Sequence, residues 1–120
     1  MADEQSKDVL ERGAGTLVRI FIAESDHWHG RPLYEAILLA ARAHGVAGCT
    51  VLRAIEGFGS HAHVRSAHIE RLAMDLPIVV EIVDRPDKIE AFLPQLDEMV
   101  LDGLVTLEPV HIHSHRRQAR

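Results

Sequence analysis

Cysteine is almost missing: Cys49 is the only one in 120 residues, which excludes an intrachain disulfide framework and the small, stapled, secreted class that depends on one. Aromatic residues are scarce as well, at 4% with a single tryptophan, so a core has to be built from Val, Ile, Leu and Ala packed between helices and a sheet. No apolar run reaches the roughly 20 residues of a membrane-spanning helix, and no stretch has the make-up of a secretory leader. The expected location is the cytoplasm, without direct membrane insertion. Positive charge is in the minority, with 13 Lys and Arg against 18 Asp and Glu for a net −5. No basic face stands outside the short tail, which argues against nucleic acid as a partner, since phosphate neutralisation needs concentrated cations. Cys49 falls inside an apolar strand, where an inert buried thiol is expected rather than a nucleophile.

What is present is a regular alternation of strand and helix patterns in one domain. Residues 1–15 are polar and end in Gly-Ala-Gly, the composition of a flexible N-terminal arm. Thr16 to Ala23 alternates as a strand, with Leu17, Arg19, Phe21 and Ala23 on one face and Val18, Ile20 and Ile22 on the other. Glu24 to Gly30 is an irregular connection, and Pro32 then opens a helix with Leu33, Ala36, Ile37, Ala40, Ala41 and His44 on its buried face. Gly45 stops that helix. Val46 to Ile55 reads as a strand ending in the turn Glu56-Gly57-Phe58-Gly59, whose glycines permit positive φ or the close approach of a ligand. Ser60 to Ser66 is a polar, mobile loop. Ala67 to Asp75 fits either a helix or an extension of the next strand, which is Leu76 to Val83. Asp84-Arg85-Pro86 carries helix-start signals, and the second helix turns Ile89, Phe92, Leu93, Leu96, Met99 and Val100 inward, kinked at Pro94 and ended by Gly103. Leu104 to Ile112 is the last strand, and 114–120 is a basic tail.

This order gives an α+β, ferredoxin-like βαββαβ sandwich over 16–113: a four-stranded antiparallel sheet with both helices on one face. The other face stays uncovered, with residues such as Val18, Ile20 and Val80 available for it, and requires burial against copies of the chain. Chain direction also brings the connections Glu24–Gly30, Glu56–Ser66 and Leu101–Gly103 to one pole. That convergence is the main pointer to a binding site.

Several side chains carry two readings. Nine histidines include three runs of His-x-His spacing: His27/His29, His61/His63 and His111/His113/His115. In a strand that spacing places imidazoles on one face as ligands for a divalent metal, or simply as solvated side chains; His61, His63, His111 and His113 are the metal candidates. Trp28 is a packing anchor or a stacking surface for a base or partner protein, and His29 a loop hydrogen-bond donor or a ligand contact. Glu24, Asp26 and Glu56 are not accompanied by a nucleophile or an oxyanion device, so an enzyme is not expected.

GVAGCTVLRAIEGFG followed by a polar loop and LPIVVEIVD, together with ESDHWHGRPLYEAI, resembles the nitrogen-regulatory PII signalling superfamily, in its uncharacterised PII-like branch with an ESDxWHGxPLYEAI segment. The resemblance spans about 16 to 113. It implies a homotrimer of ferredoxin-like subunits around a central barrel, with adenine nucleotides in the clefts between subunits. It also implies a flexible effector loop after Gly59 that docks on a protein partner, a membrane transporter in several PII-like systems. Thr50, Gly57, Phe58 and Gly59 match nucleotide-facing positions. Ser60 and His61 stand where PII proteins have a basic residue and glutamine, and His111 and His113 where they have phosphate-binding arginines; a Gly-Asp-Gly-Lys turn is reduced to Asp102-Gly103. Fewer fixed cations weaken a triphosphate most, so AMP or ADP is expected over ATP.

The expected function is therefore a regulatory protein. Its nucleotide site would comprise Thr50, Gly57, Phe58, Gly59, Ser60, Trp28, His29, His111 and His113, and its effector loop His61, His63 and Arg65, with no obligatory cofactor. The alternatives are a metal-binding trimer in metal homeostasis, dependent on the histidine pairs, and a bare assembly scaffold.

Overall fold

A computed structural model describes residues 8–59, 65–66 and 75–118. Four strands and two helices build the body: β1 (Asp8–Ala23), α1 (Leu33–His44), β2 (Gly48–Arg53), β3 (Pro77–Asp84), α2 (Pro86–Met99) and β4 (Leu104–Gln118). The sheet has the order β2-β3-β1-β4, and each neighbouring pair is antiparallel. This is the ferredoxin-like α+β arrangement. β1 lies centrally, with Ile20 opposite Val80 on one side and Val105 on the other.

The helices form for the reasons their patterns give. Leu33, Ala36, Ile37 and Ala41 of α1 are buried, a spacing of three and four that turns one stripe to the sheet. Gly45 ends the helix at φ 85°, its N–H reaching the Ala41 and Arg42 carbonyls, while Arg42 and His44 place basic groups at the negative end of the helix dipole. In α2, Ile89, Phe92, Leu96 and Met99 are buried, and His44 lies against Phe92 with ring centroids 5.2 Å apart. Pro86 occupies the first helical turn, and α2 continues through Pro94 to Met99. Asp84, only 3% exposed, joins the two halves: one carboxylate oxygen accepts the N–H of Arg85 at 2.7 Å and the other that of Ala47 at 2.8 Å. Two backbone donors satisfy a carboxylate whose burial would otherwise be costly.

Several expectations change. Val18, Ile20 and Val80, expected on the open face, are 1%, 0% and 0% exposed and lie in the core with the helix residues. The open face carries the alternate set instead: Leu17, Arg19, Phe21, Thr50, Leu52, Val79 and Glu81, which share registers across the strands. Alternation separates the two sets without saying which side the helices cover. The N-terminal arm expected over 1–15 is strand from Asp8 onward, and the tail expected from Ser114 is strand to Gln118, because the two segments pair with each other, Asp8 opposite Gln118 and Leu10 opposite Arg116. Backbone pairing orders polar chain that lacks the apolar surface to order itself. The second helix ends at Met99 rather than Gly103. Gly103 serves a close approach: a Cβ there would meet the Phe21 carbonyl oxygen at 2.8 Å. The ambiguous stretch from Ala67 lies mostly outside the described residues.

Candidate functional site

The connection after β1 is a hairpin rather than an irregular loop. His27–Trp28 pairs with Arg31–Pro32, and the two turn residues, His29 at φ 49° and Gly30 at φ 85°, both have the positive φ that a two-residue type I′ turn demands. The Asp26 turn leads into it: Asp26 accepts the Ala23 N–H on Oδ2 at 2.9 Å, and its carbonyl accepts the N–H of Leu33 at 2.8 Å. After β2, Glu56–Gly57 forms a short ladder with Arg65–Ser66. The expected loop therefore has a paired stem, and Arg65 belongs to that stem.

These connections and the start of β4 enclose a cleft of about 750 Å³. Its floor is apolar, from Phe21 and Ile22 of β1 and Ile78 and Val79 of β3; Gly57, Phe58 and Gly59 form one wall, and Asp102, Gly103 and Leu104 another. Phe58, 70% exposed, gives that wall a free aromatic surface. The charged residues lining the cleft are Asp26, Glu56 and Asp102, and no lysine or arginine lines it among the described residues. Such a shape suits an uncharged, planar, partly apolar group, and among the described residues the lining offers a phosphate no lysine or arginine.

The expected site residues fall into separate places. Gly57, Phe58 and Gly59 are together on the cleft wall. Thr50 is exposed on the open sheet face opposite Glu81 and does not line the cleft. Trp28 and His29 line a different cleft of about 370 Å³, between the outer faces of α1 and α2, with Arg31, Leu39, Gln95 and Glu98; the indole and imidazole stack at 4.2 Å, 11° from parallel. Trp28 also packs against the core, as an anchor does. His111 lies opposite Ala14, seven residues along β4 from the cleft's Leu104 and so about 23 Å away. His113 is farther out still. Ser60, His61 and His63 lie outside the described residues.

Among the described residues no group of three or more His, Cys, Asp or Glu is placed to hold an ion; of the metal candidates, His61 and His63 lie outside those residues. His27 Nδ1 contacts the Ser25 carbonyl at 2.6 Å, and the buried His115 Nδ1 has no hydrogen-bond partner. Of the carboxylates weighed for acid–base work, Glu24 pairs with Arg53 at 3.1 Å and Asp26 shapes its turn. Burial raises the Cys49 thiol above its ordinary range, which keeps it protonated and inert. The sequence did not single out Phe21, Val79 or Pro77. Their signal was the alternation that sets Phe21 and Val79 apart from the core residues.

With this geometry, the comparisons with known proteins are consistent. The model of the DUF190 family, described as "Uncharacterized ACR, COG1993", matches residues 15–112. A UPF0166 protein of Aquifex aeolicus (strain VF5) is 40% identical over 96 residues, 80% of this chain and 90% of that protein. Another UPF0166 protein, from Methanocaldococcus jannaschii, is 31% identical over 98 residues, 81% of this chain and 90% of that protein. Among solved structures, CPII, a nitrogen regulatory PII-like protein from Thiomonas intermedia K12 bound to ADP, AMP and bicarbonate, is similar with a TM-score of 0.57 at 18% identity, covering 85% of this chain and 91% of that one. The same protein bound to ADP and bicarbonate gives 0.53 at 20% identity, with the same coverage. The likeness shows that the fold is PII-like. Among the described residues no helix is long and apolar enough to cross a membrane.

Proposed function

The chain belongs to the DUF190 family, and from that membership and its PII-like fold we propose that it is a regulatory protein whose cleft takes an adenine nucleotide, AMP or ADP in preference to ATP. The observation that supports this most is the apolar, glycine-walled cleft at Gly57–Gly59, on the fold of a PII-like protein that binds ADP and AMP. The floor of Phe21, Ile78 and Val79 with the exposed Phe58 suits a purine. With no lysine or arginine among the described lining residues, the cleft favours a ligand with few phosphates, since each added phosphate asks for a further cationic donor.

The phosphates then need donors from elsewhere. His111 and His113 are exposed on the outer half of β4, too far along the strand to serve their own cleft, so they serve the cleft of a neighbouring copy. A homotrimer with the open sheet faces inward satisfies both requirements, covering Phe21, Leu52 and Leu104, which are 38%, 47% and 58% exposed in the single chain. The loop from Ser60 to Ser66, including His61, His63 and Arg65, reports occupancy to a protein partner such as a membrane transport protein, in the cytoplasm and without catalysis.

Thermal unfolding with AMP, ADP and ATP, each with and without bicarbonate, and with divalent metals with and without chelator, tests the reading. A ligand at about 100 times its Kd stabilises by ~2.7 kcal/mol, which raises the melting temperature of a domain this size by about 10 °C. Gly59→Val is the informative variant, since a Cβ at Gly59 meets nothing within 4 Å: the fold tolerates it and a ligand against the wall does not. The expected result is a nucleotide shift that survives chelator and is lost in Gly59→Val. No nucleotide shift, beside a chelator-sensitive metal shift, sinks the nucleotide reading in favour of the metal-binding trimer.

A further inference from the structure

Glu24 sits between the ligand cleft and the Trp28 hairpin, and its bonds reach both ends of a long connection. One carboxylate oxygen accepts Nε and Nη2 of Arg53 at 3.2 and 3.1 Å and the N–H of Leu76 at 3.2 Å. The Glu24 N–H in turn donates to the Leu76 carbonyl at 2.9 Å, and the adjacent Ser25 N–H donates to Asp75 Oδ1 at 3.0 Å. Arg53 closes β2 and Leu76 precedes β3, so one side chain holds the exit of the former and the entry of the latter. The β2–β3 register, Gly48–Arg53 against Ile78–Val83, already aligns those strands, so Glu24 is not needed to pair them.

On the cleft side, the residues next to these partners form the wall. Ala54 follows Arg53, lines the cleft and donates its N–H to the Pro77 carbonyl at 2.8 Å. Pro77 follows Leu76, and a Cβ on Gly57 would lie 3.3 Å from its ring. A ligand drawn against Gly57–Gly59 therefore loads groups one residue from the atoms that Glu24 holds. On the other side, Asp26 is two residues from Glu24 in the same tight turn, and its carbonyl fastens Leu33 where the hairpin carrying Trp28 runs into α1.

We propose that Glu24 is a positioning residue that couples the wall of the ligand cleft to the Trp28–His29 hairpin, making that hairpin a second place where occupancy is read. The coupling rests on the cleft's being the ligand site, but it is testable in the ligand-free protein. Trp28 is the only tryptophan, so intrinsic emission reports on the hairpin, and the His29 ring stacked on it makes that emission sensitive to hairpin geometry. Arg53→Ala removes the loop-side partner, and Arg53 itself belongs to neither the cleft lining nor the hairpin. Glu24→Gln keeps an acceptor for the Leu76 N–H and removes the charge.

In a double-mutant cycle, Arg53→Ala alone should change Trp28 emission and speed amide exchange over residues 27–33 by about two- to fivefold. In the Glu24→Gln background, which keeps the acceptor and loses the charge, it should add distinctly less. An unchanged hairpin in Arg53→Ala, or an equal increment in both backgrounds, overturns the coupling. ADP provides the second arm, with binding measured separately by calorimetry. Emission should respond in the wild type and not in Glu24→Gln, although ADP still binds; equal responses overturn the proposal. Absence of ADP binding to either protein would count against the nucleotide reading alone, since the ligand-free cycle still decides the coupling.

Discussion

The two faces of the sheet are made from alternate residues of the same strands, yet they differ in kind. Beneath the helices, Val18, Ile20, Ile22, Ile78, Val80 and Ile82 are aliphatic and 6% exposed or less. On the open face the apolar Leu17, Phe21, Leu52 and Val79 alternate with charge. There Arg19 bridges three strands, with Nε 3.0 Å from Glu81 and Nη1 2.7 Å from Glu108, and the Glu81 hydrogen bond foremost raises the guanidinium further above its ordinary range. The covered face is specified by volume and can tolerate only another hydrocarbon of similar shape. The open face is specified by pairing between charged side chains on neighbouring strands, which keeps it hydrated in the single chain.

Three measurements put that contrast to the test. The largest effect belongs to the covered face. Ile20→Ala should cost ~2–5 kcal/mol in denaturant unfolding, by lost burial and a cavity between the sheet and the helices; a loss under about 1 kcal/mol would mean that the core there is not packed as described. Arg19→Ala on the open face should be far milder. At high dilution the midpoint should hardly move, because a half-exposed ion pair is screened, while the destabilisation should grow with protein concentration as copies cover the face. An equal effect at every concentration would show that the face is not an interface. The smallest effect concerns Cys49 on the edge strand β2. With its thiol raised by burial, alkylation in the folded protein should rise with pH later than for a free cysteine, and the difference should vanish in denaturant. A folded-state rate at pH 8 matching free cysteine would rule out the inert thiol.

The cleft and the hairpin show a second contrast, in what could be read beforehand. Gly57-Phe58-Gly59 stood out as a glycine turn closing a strand, a pattern that fits a plain turn as well as a ligand contact, and that turn does form the cleft wall. Trp28 and His29 announced themselves by rarity, which carries no position. A two-residue hairpin with His29 at φ 49° turns them to the outer helix faces instead. The Glu24–Arg53 pair was legible only as charge, since residues 29 apart in sequence meet through the β2–β3 pairing.

The order of the main strands and helices, the helix stripes, the Gly45 stop and, through period-two alternation, the strand residues that share a face were all legible along the chain. These are local properties, fixed by backbone geometry over a few residues. It took the packed chain to settle which face the helices cover, that polar residues 8–15 join the tail as strand, and that three acidic and no basic side chains among the described residues line the cleft. Each of those depends on contacts between segments far apart in the chain, where burial and hydrogen-bond pairing outweigh the preference of any one residue.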